Sequence, residues 1–147
     1  MQLHPYLSFT GCAKEAIELY CKALNGAIEH IATYAEQPEM LKTLPEGWGE
    51  KVMHVSMRAG EIVIMASDVV LGENGPCAIK ELNYAASPVS LSINCASVEE
   101  LEKTFNILST GGQVTMPPQD TFWGARFAML VDKFGIKWML NHDYPQK

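Results

Sequence analysis

The stretch TFWGARFAMLVDKFGIKWMLN, residues 121–141, decides the fold of this chain. It contains two short apolar runs rich in strand formers, 126–131 and 136–141, on either side of the tetrapeptide from Asp132 to Gly135. A four-residue turn with Asp first and Gly last between two such runs is typical of a β-hairpin. The stretch therefore predicts a hairpin, which is either ordinary structure without chemistry or part of a site.

A second hairpin is predicted earlier in the chain. The runs KVMHVSMRA, residues 51–59, and EIVIMAS, residues 61–67, are joined at Gly60. Before each hairpin come a strand-like run, a helix-like segment and a further strand-like run. The order strand, helix, strand, strand, strand therefore occurs twice, which predicts two modules at about residues 1–68 and 87–147 with a linker at 69–86.

The first module begins with a strand at residues 3–10. An amphipathic helix follows at 12–24, because its apolar residues recur at helical spacing. The pair Asn25-Gly26 is predicted to end this helix, and residues 27–34 alternate as a second strand does.

Two connections carry turn-forming residues. Residues 36–50 contain two prolines, two glycines and four glutamates, and so long a connection is either a solvated excursion or a lid or partner surface. In the linker, Gly72, Gly75 and Pro76 are expected to break regular structure.

The second module repeats the pattern at an offset of 84 residues. It is predicted to contain a strand at 88–94 and a helix at 98–110 with Ser97 as its N-cap. A short strand at 113–116 follows, and Pro117-Pro118 is expected to prevent its continuation.

The composition limits the classes of function. The chain has 147 residues, 48% apolar and 19% charged, enough for a sizeable core in one domain or in two small modules that share one. The net charge of −6 without a basic cluster argues against nucleic-acid binding. No apolar run approaches ~20 residues, so no membrane span is expected. The N-terminus also lacks the layout of a signal peptide.

The cysteines indicate the compartment. No two of them form a CxxC pair, which favours reduced thiols in a cytoplasmic protein over a disulfide framework. The four are Cys12, Cys21, Cys77 and Cys95.

Several of these residues together resemble a known family. The chain resembles the PhnB-like branch of the glyoxalase/bleomycin-resistance/dioxygenase superfamily, which is also called vicinal oxygen chelate. The features that carry the resemblance are PYLSF before a helix with EAIELY, the third-strand histidine of MHVSM, IVIMASD, a Gly-rich linker, and TFWGARF with DKFGIKWMLN. The resemblance covers nearly the whole chain. Its most specific parts are Phe122-Trp123-Gly124 and Asp132-x-Phe134-Gly135-x-x-Trp138.

The resemblance implies an α+β fold, in which two tandem βαβββ modules form curved mixed sheets around a shared cavity. Dimers are common among relatives, so a homodimer is expected. Some family members carry a demethylubiquinone methyltransferase-like label. No Gly-rich loop of the kind that seats a nucleotide-like cofactor follows a strand here, so we expect neither methyl transfer nor a cofactor.

Strand alternation predicts which side chains face the cavity. Helices are expected to cover the apolar face of each sheet, which leaves the polar faces to line the concave side. The offset between the modules matches the first strand to the fifth. The cavity predicted for a small polar-headed ligand is lined by Tyr6, Ser8, His54, Ser56, Arg58, Ser90, Ser92 and Asn94, with Met65 and Met139.

Three predicted site residues have alternative roles. His54 is either a base, since histidine titrates near neutrality, or a residue satisfied by a neighbouring element. Arg58 either clamps a carboxylate or phosphate or lies at the surface near a strand end. Trp123 forms an aromatic wall with Phe122 over a ligand, or both belong to the core.

Other ionisable residues are harder to place. Asp68 lies just past the predicted fourth strand, where it can pair with Arg58 or Arg126. The other histidines are too scattered to predict a site: His4, His30 and His142.

Metal-using relatives place one His or Glu on the first and last strands of each module. The corresponding residues here are Tyr6 (or Pro5, by direct spacing), Met65, Ser90 and Met139. Thioethers and hydroxyls do not hold zinc, nickel or manganese, so no metal site is expected. The alternative is a displaced site that uses His54 with Asp68, although two ligands rarely suffice.

The function predicted first is that of a cytosolic small-molecule-binding protein whose small-molecule ligand the sequence does not name. The alternative is a lyase or isomerase acting on an oxygenated substrate, with His54 as base and Arg58 as anion anchor. A third class is an interaction protein whose cavity has no present use.

Overall fold

The strands of the first module form one mixed sheet. The computed structural model describes residues 1–72, 78–79 (backbone only) and 82–146. The first unit, Met1–Leu82, has its strands in the order β1-β4-β3-β2, with β1 parallel to β4 and the other neighbours antiparallel. Its elements are β1 (Tyr6–Phe9), α1 (Ala13–Leu24), β2 (Ala27–Thr33), α2 (Pro38–Leu41), β3 (Val52–Ala59) and β4 (Ile62–Asp68).

The second unit, Asn83–Lys147, repeats this arrangement. Two short parallel strands, β5 (Val70–Leu71) and β6 (Ala78–Ile79), precede it. Its sheet has the order β7-β10-β9-β8, again with one parallel pair, β7 with β10. Its elements are β7 (Leu91–Asn94), α3 (Val98–Ser109), β8 (Gln113–Asp120), β9 (Ala125–Val131) and β10 (Lys137–Asp143).

These elements confirm the predicted α+β class and its two tandem modules. In the described residues, each module has four main strands and one main helix. The helices begin at Ala13, one residue after the predicted start, and at Val98, as predicted. Gly72, at a bend, is described, whereas Gly75 and Pro76 of the predicted linker lie outside the described residues. No described helix is long and apolar enough to cross a membrane.

Helix α1 covers one face of the first sheet and packs on β3 and β4. Its buried side chains include Ile17 and Tyr20, while Val55 and Met57 are fully buried on β3. The helix ends at Asn25, which itself adopts the left-handed conformation at φ 55°. Gly26 is needed for another reason, because a Cβ there would lie 2.6 Å from the carbonyl oxygen of Arg58.

Helix α3 covers the second sheet in the same way. Ser97 caps it as predicted, since the Ser97 Oγ accepts a hydrogen bond from the Glu100 amide at 3.1 Å. Leu101 and Leu108 of its apolar stripe are fully buried, and the helix packs on β9 and β10.

Residues 36–50, predicted to be irregular, contain short helical pieces. These are α2 and a single 3₁₀ turn at Trp48–Glu50. Tyr34 precedes this region and anchors it: its hydroxyl donates to the carbonyl oxygen of Asp68 at 2.6 Å, and its ring lies edge-on to Trp48.

The prediction that Pro117-Pro118 would end β8 is wrong. The strand continues to Asp120, with irregularities in its pairing to β9 on either side of Met116. The physical reason is that β8 is an edge strand, where a missing amide donor at an irregular register costs no ladder hydrogen bond.

Candidate functional site

The face of the first sheet opposite α1, here called the polar face, brings several predicted site residues into register. Tyr6 lies opposite Met65, Met65 opposite Ser56, and Ser56 opposite His30, so these four side chains cross all four strands in one row. Side chains at alternate positions share a face, which places Ser8 and His54 on the polar face too.

The Tyr6 hydroxyl and His54 form the centre of this face. The Tyr6 hydroxyl lies 3.0 Å from His54 Nδ1, although the two residues are 48 positions apart in the sequence. Tyr6 is 49% exposed and His54 is half-buried, so both side chains are accessible to a ligand. A phenol and an imidazole side by side can each donate or accept one hydrogen bond from a bound molecule.

His30 joins this pair, so the prediction that it was too scattered to belong to a site is wrong. Its ring centroid lies 6.0 Å from that of His54. A pairing irregularity between Ile28 and His30 shifts the alternation of β2, which places Ile28 opposite Met57 and His30 opposite Ser56. No rule of simple alternation reveals such a shift. A second unpredicted residue, Ser67, lies opposite Ser8.

Arg58 lies on the same face but is paired. Its Nε donates to Glu29 Oε1 at 2.6 Å, and both side chains are about half exposed. Arg58 is four residues along β3 from His54, a separation of ~13 Å in a strand. An anion held by Arg58 would therefore lie away from the imidazole.

Asp68 pairs with neither arginine, which corrects that prediction. It is 1% exposed and its carboxylate accepts three backbone hydrogen bonds at 2.8–2.9 Å, from Gly11, Ala13 and Val52. The predicted alternative metal site with His54 is therefore not supported, because both Asp68 oxygens already serve the backbone.

Arg126 instead bridges two carboxylates in the second unit. It reaches Glu102 at 2.8 Å and Asp120 at 3.3 Å, and the Tyr144 hydroxyl also donates to Asp120 at 2.6 Å. The Tyr144 hydrogen bond is the main reason that the pKa of Asp120 is lowered, and Glu102 is the main reason that the pKa of Arg126 is raised.

The predicted residues of the second unit share the face of its sheet that lies opposite α3. Ser92 lies opposite Met139, and Ser90 precedes β7 by one residue on the same side of the chain. Phe122 and Trp123 form the turn between β8 and β9. They are 99% and 53% exposed, so they are not core residues.

Three more apolar residues on this face were not predicted. Met129 lies opposite Met139 and Met116, and Phe127 lies opposite Asn141. The Phe127 ring centroid is 5.8 Å from that of Trp123. Continuing the alternation from Met139 to the neighbouring strand of the hairpin would have identified Met129.

The residues at the expected metal positions do not fit a divalent ion. Tyr6 lies opposite Met65 there, as predicted, whereas Ser92 and not the predicted Ser90 lies opposite Met139. These side chains offer only thioethers and hydroxyls. In the described residues, no group of three or more histidine, cysteine, aspartate or glutamate side chains lies close enough to hold a metal.

The described cysteines, Cys12, Cys21 and Cys95, are free, and Cys77 lies outside the described residues. Burial raises the pKa of all three thiols and, together with the nearby Glu100 carboxylate, raises that of Cys95 to about 11. The thiolate is the reactive form, so these groups are poor nucleophiles in the folded chain.

We expect Cys95 to react with iodoacetamide at pH 8 about 100-fold more slowly in the folded than in the unfolded chain, because a rise from 9.0 to about 11 reduces its thiolate fraction by that factor. Mass spectrometry of peptides after timed alkylation, with and without urea, measures both rates. Labelling of native Cys95 as fast as in urea would contradict this expectation.

Comparison with known proteins agrees with this fold. The family model described as Glyoxalase/Bleomycin resistance protein/Dioxygenase superfamily matches residues 2–140. The protein YjdN of Escherichia coli K12 is 29% identical over 143 residues, which cover 96% of this chain and 95% of YjdN.

Solved structures give the same result. The crystal structure of PA1353 from Pseudomonas aeruginosa is 36% identical, with a TM-score of 0.79 and coverage of 97% of this chain and 98% of that one. A Bacillus cereus structure titled putative 3-demethylubiquinone-9 3-methyltransferase, PhnB protein, shares the fold at 24% identity, a TM-score of 0.74 and coverage of 97% and 99%. The chain belongs to the glyoxalase/bleomycin resistance protein/dioxygenase superfamily.

Proposed function

We propose that this chain is a cytosolic small-molecule-binding protein that holds its ligand on the polar face of the first sheet and needs no divalent metal ion. The observation that carries the proposal is the cluster of Tyr6, His54 and His30, with its 3.0 Å contact between the Tyr6 hydroxyl and His54. The cluster offers hydrogen-bond donors and acceptors, which suits the oxygen or nitrogen atoms of a polar-headed ligand.

Binding is favoured over catalysis by the surroundings of His54. A general base is usually oriented by a third group, and the only side chain hydrogen bond that His54 makes in the described residues is to the Tyr6 hydroxyl, with no carboxylate behind it. Arg58, the predicted anion anchor of a lyase or isomerase, is already neutralised by Glu29. The enzyme alternative therefore gains no support from this geometry.

Metal independence is proposed from the donors themselves. Tyr6, Met65, Ser90 and Met139 stand at the positions where metal-using relatives place His or Glu, and hard or borderline ions bind these donors poorly. The methionines suit an adaptable apolar surface instead.

Thermal unfolding in the presence of candidate ligands, each measured with and without EDTA, tests the proposal. The panel contains oxoacids, thiol conjugates, antibiotics and divalent metals. A ligand at 100 times its dissociation constant adds about 2.7 kcal/mol to the free energy of unfolding. We expect at least one organic ligand to stabilise the chain equally with and without EDTA, and stabilisation that EDTA abolishes would contradict metal independence.

Substitutions then locate the site. We expect His54→Ala to weaken binding of that ligand about tenfold, since a hydrogen bond contributes ~0.5–1.5 kcal/mol, while its free energy of unfolding changes less. Titration calorimetry and urea unfolding measure the two effects. His4→Ala is the matched control, because within the part of the chain that the structure describes His4 forms a side-chain hydrogen bond only with Gln2. If the His54→Ala variant unfolds while its folded fraction still binds the ligand, His54 contributes to stability and not to ligand binding.

Arg58 has a separate test, because Glu29 competes for it. We expect Arg58→Ala to weaken an anionic ligand without unfolding the chain, and Glu29→Gln to strengthen the same ligand by removing the competing carboxylate. If Glu29→Gln leaves the affinity unchanged, Arg58 is a surface residue and holds no ligand.

We also propose that the protein is a homodimer, on the analogy of its relatives and because residues 36–50 are long enough to reach a second subunit. We expect light scattering at micromolar concentration to give twice the chain mass of 16.3 kDa. A mass of one chain over the whole concentration range would contradict the proposal.

A further inference from the structure

The face of the second sheet opposite α3 has a different chemistry from the polar face of the first. One row across this sheet runs Ser92, Met139, Met129 and Met116, so that three thioethers lie next to one another on three neighbouring strands. All three methionines are half-buried rather than packed into the core. We call this surface the methionine face.

Aromatic side chains extend the methionine face at one end. Phe127 is two residues from Met129 on β9. The centroid of the Phe127 ring lies 5.8 Å from that of Trp123, and the centroid of the Trp123 ring lies 5.0 Å from that of Phe122. The planes of these neighbouring rings cross at 69° and 90°. Rings that meet edge to face do not stack in parallel. Each such contact covers one flat face of one of the two rings, so the remaining flat faces can accept another planar group.

Polar groups border the apolar ones. Asn141 lies opposite Phe127, and its side-chain amide bonds Asn94 at 3.3 Å and Asp143 at 3.0 Å. The two rows through Met129 and Phe127 contain no ionisable side chain. A charged group on a ligand would find no oppositely charged side chain within these rows, whereas an uncharged amide on a ligand could form a hydrogen bond with the side-chain amide of Asn141.

The dimensions fit one class of molecule. Three strands at ~4.8 Å spacing make the methionine row ~10 Å wide, and the Phe127 row lies ~7 Å further along the strands. Methionine is flexible and makes favourable contacts with aromatic rings. Exposed apolar surface that combines such groups is typical of a binding site.

We infer that the methionine face binds a fused aromatic ring system that carries an uncharged hydrogen-bonding group such as a carboxamide. This inference rests on the proposed small-molecule binding and names the chemical class of ligand that this second face accepts. Trp123 and Phe127 stack on the ring, the thioethers of Met129 and its neighbours support it, and Asn141 bonds the amide.

The test uses the full chain with ¹³C-labelled methionine methyl groups and 2-naphthamide as the probe. We expect saturable shifts of the Met116, Met129 and Met139 methyl signals, caused by the current in the aromatic ring. The signals of Met57 and Met65, which belong to the first unit, serve as internal references and stay in place. Decahydro-2-naphthamide has the same carbon skeleton but is puckered and lacks aromatic electrons, and 2-naphthoate has the same ring with a charge; both are expected to bind at least fivefold more weakly.

Variants complete the test. We expect Trp123→Ala to weaken 2-naphthamide at least tenfold without unfolding, because the side chain lies in an exposed turn. Met129→Leu preserves the size of the side chain and removes the thioether, for a loss of roughly two- to tenfold. Met57→Leu, on the face of the first sheet that α1 covers, is the matched control and leaves the affinity unchanged.

Four outcomes would overturn the inference. One is the absence of saturable shifts, and another is equal binding of the saturated probe, which means that any apolar group is accepted. The third is a shift of the three methyl signals with protein concentration alone, which means that a second copy of the chain covers this face. Shifts at Met65 and not at Met129 would also refute the inference while supporting ligand binding on the polar face. Conversely, a methionine face that binds while His54→Ala changes nothing would refute only the proposed site on the first sheet.

Discussion

Replacing Asp68 with alanine is expected to lower the free energy of unfolding by about 4 kcal/mol, since it removes the shared acceptor of three backbone amides and each buried unsatisfied donor costs ~1–3 kcal/mol. The Asp68 carboxylate joins the loop before α1, through Gly11 and Ala13, to the start of β3 at Val52. Urea unfolding measures the loss, and hydrogen exchange locates it at these three amides.

Two further variants make this expectation specific. Asp68→Asn keeps one acceptor oxygen but turns an NH₂ group toward at least one amide donor, so an intermediate loss is expected. Glu39→Ala removes an exposed carboxylate whose ion pair with Lys42 is also exposed, and it should change stability by less than ~0.5 kcal/mol. If Asp68→Ala is as stable as Glu39→Ala, the backbone amides have other partners and the proposed role of Asp68 is wrong.

The role of Asp68 explains why sequence reasoning misplaced it. The N-cap position of α1 is Cys12, whose side chain makes no capping hydrogen bond. Asp68, at the end of β4, instead supplies the acceptor for the Ala13 amide in the first turn, although the two residues are 55 positions apart in the sequence. Charge alone suggested an arginine partner, whereas the folded chain uses the carboxylate to satisfy backbone donors.

Local patterns predicted the elements well because helices and hairpins depend on near neighbours. The starts of both main helices and the Ser97 cap follow from apolar spacing and capping chemistry. The course of β8 through Pro117-Pro118 was not predictable in this way, because being an edge strand is a property of the whole sheet.

The candidate site was predicted in part for the same reason. Alternation along β3 places His54 and Ser56 on one face, but the irregular pairing of β2 that adds His30 arises only when the strands meet. Similarly, the contact between Tyr6 and His54 spans β4, which lies between their strands. No spacing in the sequence encodes such a contact across a sheet.

Asp132-x-Phe134-Gly135-x-x-Trp138, one of the most family-specific motifs of the chain, stabilises the last hairpin. Asp132 is 3% exposed and accepts from the Phe134 amide at 2.8 Å, the Ile136 amide at 3.1 Å and the Trp138 indole Nε1 at 2.9 Å. Gly135 closes the turn at φ +91°, a conformation that favours glycine. One carboxylate thus fixes both the turn and the largest buried side chain of the second unit.

We expect Asp132→Ala to lower the free energy of unfolding by about 4 kcal/mol, because two backbone amides and a buried indole lose their acceptor. Trp138→Phe removes the indole donor, so it can be combined with Asp132→Ala in a double-mutant cycle. In the Trp138→Phe background, Asp132→Ala should cost at least ~1 kcal/mol less than in the native chain, and this coupling energy isolates the hydrogen bond between the two side chains. Urea unfolding of the four proteins, followed by circular dichroism so that loss of Trp138 fluorescence does not interfere, measures the cycle. Additive losses would mean that Asp132 holds only the turn, and that Trp138 is fixed by packing alone.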